Sequence, residues 1–233
     1  MKAVCLAAFL VFGLGSAAAA DCRLALLLAV DVSSSISDGE YTLQRDGLAH
    51  AVLDPEVQAA RLPRSGHWVS LALFEWSGKH QSVIRLDWIA MQGPADILNA
   101  AETIAKSPHS KTEFPTALGH ALGFEAAMLS TGPVRDQSKI DVSGDGPNNE
   151  EFVPAVVYAT GLFNDIVVNG LAIEANEPGL TEYYRREVAF GTGAFVISAN
   201  GFNDFKRAMA LKLLRELQEI ELSDAGHAPK VVQ

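Results

Sequence analysis

The chain has 233 residues, 48% hydrophobic and 20% charged, which places it with globular proteins and excludes a disordered polypeptide. Lys and Arg number 18 against 28 Asp and Glu, for a formal charge of −10. That balance argues against a nucleic-acid or anionic-membrane partner, since either would want a basic face.

The first segment reads as a leader. Met1-Lys2, an apolar run over 3–14 and Ala18-Ala19-Ala20 have the three regions of a secretory signal peptide. Cleavage after Ala20 would leave Asp21 first, with residues 21–233 as one domain in the periplasm or outside the cell. A lipoprotein is disfavoured because Asp21, not a small residue, precedes Cys22. No later apolar run is long enough to span a bilayer without polar interruption. Cys5 would leave with the leader and Cys22 would stand alone, either pairing between chains or serving as a small residue beside the first strand.

Residues 24–30 form a continuous apolar run, the pattern of a strand buried on both faces. It ends in Asp31-Val32-Ser33-Ser34-Ser35, and Ser37-Asp38-Gly39-Glu40 then has capping-box spacing. A helix is predicted over 40–53, stopped by Asp54-Pro55. Strands are predicted over 68–76 and 81–86, a hairpin whose second member lies at a sheet edge. Helices follow over 94–105 and, with Pro115 at its first turn, 116–129. A strand over 139–143 runs into Gly144-Asp145-Gly146. Beyond it the pattern predicts a helix over 151–162, a strand over 166–173, a helix over 180–188, a strand over 194–197 and a long helix over 202–222.

Alternating strands and helices predict an α/β fold: a Rossmann-like, doubly wound, mostly parallel sheet of six strands, helices on both faces and one antiparallel edge strand. In such sheets ligands bind beyond the carboxyl ends of strands where strand order reverses. If the hairpin builds out on one side of the first strand and the 139–143 strand on the other, that point carries Asp31 and Asp145. Two carboxylates facing one crevice repel unless protonated or bridged by a cation. Ser33, Ser35 and Thr112 add uncharged oxygens, and an oxygen-only donor set suits a hard divalent cation. A Ser-rich turn that merely caps a helix is the plainer alternative.

Asp31-x-Ser33-x-Ser35, a later loop Thr and Asp145-Gly146 after an apolar strand resemble the metal-ion-dependent adhesion site of von Willebrand factor A-type domains, over essentially the whole of 21–233. The resemblance implies that Ser33, Ser35 and Thr112 coordinate the metal by hydroxyl while Asp31 and Asp145 act mainly through water. Thr112 is preferred to Thr116 because it lies in the loop, whereas Thr116 is expected to face the first helical turn. It implies Mg²⁺ as the cation, with Mn²⁺ the alternative, and a protein partner whose Asp or Glu completes the octahedron. Phe74-Glu75-Trp76-Ser77-Gly78, residues 141–149 and residues 168–174 look closer still to an exported bacterial branch of unassigned function. In that branch a Cys able to pair with Cys22 commonly precedes the 139–143 strand; Asp136-Gln137-Ser138 stands there instead, so no disulfide is expected. Glu75 and Trp76 are candidates for the rim around a bound carboxylate, with core packing the alternative for Trp76.

Enzyme motifs fare worse. Val142-Ser143-Gly144-Asp145-Gly146 lacks the first Gly of a nucleophile elbow. Gly191-Thr192-Gly193 precedes a strand instead of following one, and no phosphate-binding loop is present. The sequence therefore points to a non-enzymatic binding module. A metal-dependent hydrolase using Asp31 and Asp145, and a domain whose metal is purely structural, are the alternatives. Tyr183-Tyr184-Arg185-Arg186 reads as part of a solvated amphipathic helix, with stacking against a partner the alternative.

Overall fold

The computed structural model describes residues 21–61, 67–110, 113–174 and 177–225. Strand β1, Asp21–Asp31, is buried at every position after its first. Its side chains alternate between two layers: Leu24, Leu26, Leu28 and Val30 enter one core, and Ala25, Leu27 and Ala29 the other. The unbroken apolar run is thus explained by burial on both faces.

Around β1 lie β2 (His67–Trp76), β3 (Ser82–Met91), β4 (Arg135–Gly144), β5 (Ile166–Ile173) and β6 (Val196–Ala199), in the order β3-β2-β1-β4-β5-β6. All neighbours are parallel except β2 and β3, the predicted hairpin with β3 at the edge. The chain builds outward from β1 through β2, then returns to β4 on the other side. The strand order therefore reverses between β1 and β4, as the sequence predicts.

One face carries α1 (Asp38–Val52), α2 (Pro55–Arg61), α3 (Pro94–Ala105) and α7 (Phe205–Ala225). The other carries α4 (Leu118–Ser130), α5 (Pro154–Tyr158) and α6 (Leu180–Tyr183). Together they make an α/β, doubly wound, mostly parallel six-stranded sheet. No helix among the described residues is long and apolar enough to cross a membrane.

The strands β3 and β4 run longer than expected, to Met91 and from Arg135, and three helical segments also depart from expectation. Asp54-Pro55 ends α1 but also starts α2, because the Asp54 carboxylate accepts the Glu56 N–H at 2.9 Å and Pro55 suits a first turn. The helix expected over 151–162 shrinks to α5, starting at Pro154 and followed by Gly161 at φ +80°, a left-handed conformation that ends helical structure. The helix expected over 180–188 is α-helical only to Tyr183 and continues as a π turn over Tyr184–Val188.

Helix α7 is keyed to the sheet by buried charges. Lys212, wholly buried, lies 3.0 Å from the Asp141 carboxylate of β4 and 3.1 Å from Glu216. Glu216 also accepts a bond from Asn169 of β5 at 2.7 Å and faces Lys139 at 3.3 Å. Asp141 is held at about 6, above its ordinary value, by burial first, with Lys212 pulling it down and Glu216 pushing it up. Cys22 is also buried, at 4% exposure, and is a free thiol whose Sγ donates to the Leu24 carbonyl. It is the second residue of β1 itself, where it was expected beside the strand.

Candidate metal centre

Three loops meet above the carboxyl ends of β1 and β4. The first leaves β1 as Val32-Ser33-Ser34-Ser35-Ile36, turns through the Ile36 N–H to Ser33 carbonyl bond at 3.0 Å, and enters α1. The capping box forms as expected: Ser37 Oγ accepts the Glu40 N–H, and Glu40 accepts the Ser37 N–H at 2.9 Å. The second loop precedes α4 and is tied to the first by the Ser34 N–H to Phe114 carbonyl bond at 2.9 Å. The third follows β4; Asn149 joins it to the second, its N–H donating to the Thr116 carbonyl at 3.0 Å and its Oδ1 accepting the Thr116 N–H at 2.8 Å.

These ties bring the side chains together. Ser35 Oγ donates to Asp145 Oδ1 at 2.8 Å and shares a hydrogen bond with Ser33 Oγ at 3.3 Å. Thr116 Oγ1 donates to Ser33 Oγ at 3.2 Å. Asp31 Oδ1 accepts the Ser33 N–H at 2.7 Å, while Asp31 Oδ2 is buried without a hydrogen-bond partner. Asp31, Ser33, Thr116 and Asp145 are all buried, whereas Ser35 is exposed and marks the open side.

Asp31, Ser33, Ser35 and Asp145 are therefore one cluster, although Asp145 lies 110 residues beyond Ser35. Thr112 lies outside the described residues. Assigning Thr116 to the first helical turn is corrected: α4 starts at Leu118, and the Thr116 hydroxyl points at Ser33. The missed signal was distance along the chain. Thr116 precedes the helix by two residues, close enough to its start to be mistaken for part of it.

The electrostatics are those of an acidic pair short of positive charge. Burial, then the nearby Asp145 carboxylate, pushes Asp31 up to about 8; only hydrogen bonds from Ser33 oppose this. Asp145 is raised too, chiefly by burial, with the Ser35 bond acting against it. A divalent cation fits this donor set. It would neutralise both carboxylates, give the orphaned Asp31 oxygen a water-mediated partner, and take hydroxyl oxygens as neutral ligands. Among the described residues no three His, Cys, Asp or Glu side chains converge, so a cation here would depend on the serine and threonine hydroxyls as ligands.

Glu75 and Trp76 do not form a rim. Trp76 is 1% exposed and belongs to the core. Glu75 is buried in an ion pair with Arg85 at 2.7 Å and accepts the Tyr41 hydroxyl at 2.7 Å. The end of β2 thus supplies structure beside the site and no surface over it. The tyrosines read as part of a solvated helix also turn inward. Tyr184 is wholly buried, and the Tyr183 hydroxyl accepts the Asn148 N–H at 3.0 Å. An apolar groove of about 650 Å³, lined by Phe124, Phe152, Val156 and Leu162, opens farther along α4 and includes none of the clustered oxygens.

Sheet order and helical layers are those of a von Willebrand factor A-type fold, and solved structures agree. The chain is similar to proximal thread matrix protein 1 from the mussel byssus, in a structure whose description specifies a zinc-occupied MIDAS motif, at 17% identity and a TM-score of 0.60; 86% of this chain and 47% of that one are covered. It is similar to a von Willebrand factor type A protein from Catenulispora acidiphila at 12% identity and TM-score 0.58, covering 86% and 43%. It also resembles the pilus adhesin SpaC from Lactobacillus rhamnosus GG at 13% identity and TM-score 0.60, covering 85% and 30%. The chain thus matches less than half the length of each of these structures. The particular family is narrower: over residues 21–221 the chain belongs to the family described as "Protein of unknown function (DUF1194)". Among curated proteins none matches.

Proposed function

We propose that this domain binds a divalent cation, Mg²⁺ or Mn²⁺, and through it captures an Asp or Glu carboxylate of a protein partner. The observation that carries the reading is the meeting of Asp31, Ser33, Ser35, Thr116 and Asp145 at the strand-order reversal, with Asp31 Oδ2 buried and unpartnered. Hydroxyls as the direct ligands, with the carboxylates held back by one water, would leave the cation electron-poor and open to an outside carboxylate. The exposed Ser35 marks where that carboxylate would approach. A hydrolase is disfavoured because Asp31 is wholly buried and its Oδ1 is engaged by Ser33, so it is not offered to a substrate. The zinc-occupied motif of the mussel protein and the adhesin fold of SpaC support the reading by analogy.

Calorimetric titration with Mg²⁺ and Mn²⁺ tests the site. Wild type should bind and Ser33→Ala should not. Thr116→Ala and Thr112→Ala, measured side by side, separate the two threonines: loss is expected with the first. Chelator-reversible binding of Asp-containing peptides then tests capture, and metal binding without it would leave a structural metal. Export belongs to the same proposal, and a mature protein that begins at Asp21 by mass spectrometry is expected.

A further inference from the structure

Tyr184 occupies a place that the clustered residues do not explain. It opens the π turn after α6, and π turns are frequent at functional sites. Its ring packs in the core beneath the strand ends, and its hydroxyl is buried without a hydrogen-bond partner. Asp31 Oδ2 is in the same condition. A Cβ on Gly144 would stand 2.6 Å from the Tyr184 hydroxyl and 2.8 Å from Asp31 Oδ2. The two oxygens therefore border one narrow gap, kept open because residue 144 is glycine. A buried polar group without a partner is costly to leave so. Here a hydroxyl able to donate and a carboxylate oxygen able to accept are left together. The next residue back, Tyr183, holds the far end of the same loop through the Asn148 N–H. Adjacent tyrosines thus reach both ends of the segment that carries Asp145.

Resting on the metal-site reading above, we propose that Tyr184 is a positioning residue for the cation. With the cation bound, its hydroxyl closes the gap and donates to Asp31 Oδ2, while the Ser33 N–H holds Oδ1. The carboxylate plane is then set from both sides, and the remaining lone pairs face the metal's water. Such outer partners typically contribute 10–100-fold to metal affinity.

The test compares the purified wild-type protein with Tyr184→Phe and Tyr158→Phe. Tyr158 is the control, because its hydroxyl donates to the Val188 carbonyl and not toward the cluster. Mg²⁺ affinity is measured by calorimetry, and the melting point is measured in chelator. Tyr184→Phe should lose 10–100-fold in affinity while its melting point in chelator stays level or rises. Tyr158→Phe should melt earlier and keep its affinity. An affinity of Tyr184→Phe within twofold of wild type overturns the proposal and leaves the metal site standing. A lower melting point in chelator with unchanged affinity identifies a purely structural tyrosine and overturns it equally. A wild type that binds neither Mg²⁺ nor Mn²⁺ overturns both this proposal and the reading on which it rests.

Discussion

Asp31 is wholly buried with one oxygen unpartnered, and the charge that acts on it is another carboxylate, Asp145. An acid raised from 3.8 to about 8 binds its proton more tightly folded than unfolded. The stability this gives is complete below the unfolded value and is lost as pH climbs toward the folded one. Cation-free protein should therefore lose stability between about pH 4 and pH 8, at about 1.4 kcal/mol for each unit separating the two values. Asp141 and Glu125 add slopes of the same sign, since burial raises both. Asp31→Asn should remove one share of the slope, and saturating Mg²⁺ should remove the same share from wild type. Urea titrations across that range in chelator check the first, and a repeat with Mg²⁺ checks the second. A second residue isolates burial from site chemistry. Glu125 on α4 is 0% exposed, and neither side-chain oxygen has a hydrogen-bond partner. Glu125→Met should stabilise the protein by about 1–3 kcal/mol at neutral pH, because it removes an unsatisfied buried group at similar volume. Equal or lower stability in urea would show that Glu125 finds a partner in solution.

At the scale of elements, α7 is held by charges as well as by Phe205, Met209, Leu213 and Leu217. Lys212 balances Asp141 and Glu216 where all three are buried. Removing one partner leaves the others charged in a poor solvent, so Lys212→Met should cost about 3–5 kcal/mol. Replacing the whole group with apolar residues should cost much less, since the attraction gained only offsets desolvation. Chemical denaturation of both variants decides between these. Through Lys212 this buried group ties α7 to β4, the strand that leads to Asp145.

For the whole molecule, a ligand that binds only the folded state stabilises it by mass action. At a hundredfold excess over its dissociation constant, a cation adds about 2.7 kcal/mol. For a domain of this size the melting point should rise by roughly 5–11 °C. Ser33→Ala should abolish most of that shift. Asp145→Ala should abolish it too, yet melt above wild type in chelator, because it removes the carboxylate that repels Asp31. Thermal melts with and without Mg²⁺ read out both, and a wild-type melting point indifferent to cations would refute the site.

How much of this was legible before folding depends on the range of the interaction. The apolar run of β1, the capping box at Ser37 and Glu40, the hairpin of β2 and β3 and the alternation of strands with helices are local patterns, and each produced the element it predicts. From these alone the sheet, its edge and its point of reversal follow, and with them the neighbourhood of Asp31 and Asp145. Local pattern could not say which threonine faces the serines. That depends on Asn149 pulling the second loop against the third, across 33 residues of chain. It made Glu75 a candidate for a rim because a carboxylate at a strand end looks exposed, while the fold supplies Arg85 and Tyr41 to bury it. It read Tyr184 as half of a polar helix, since nothing in four residues shows that the helix widens into a π turn and sends that ring beneath the site. Periodicity records which face of an element is buried. Only tertiary structure decides which distant polar groups meet there, because their pairing is made by contacts between segments that the chain does not otherwise connect.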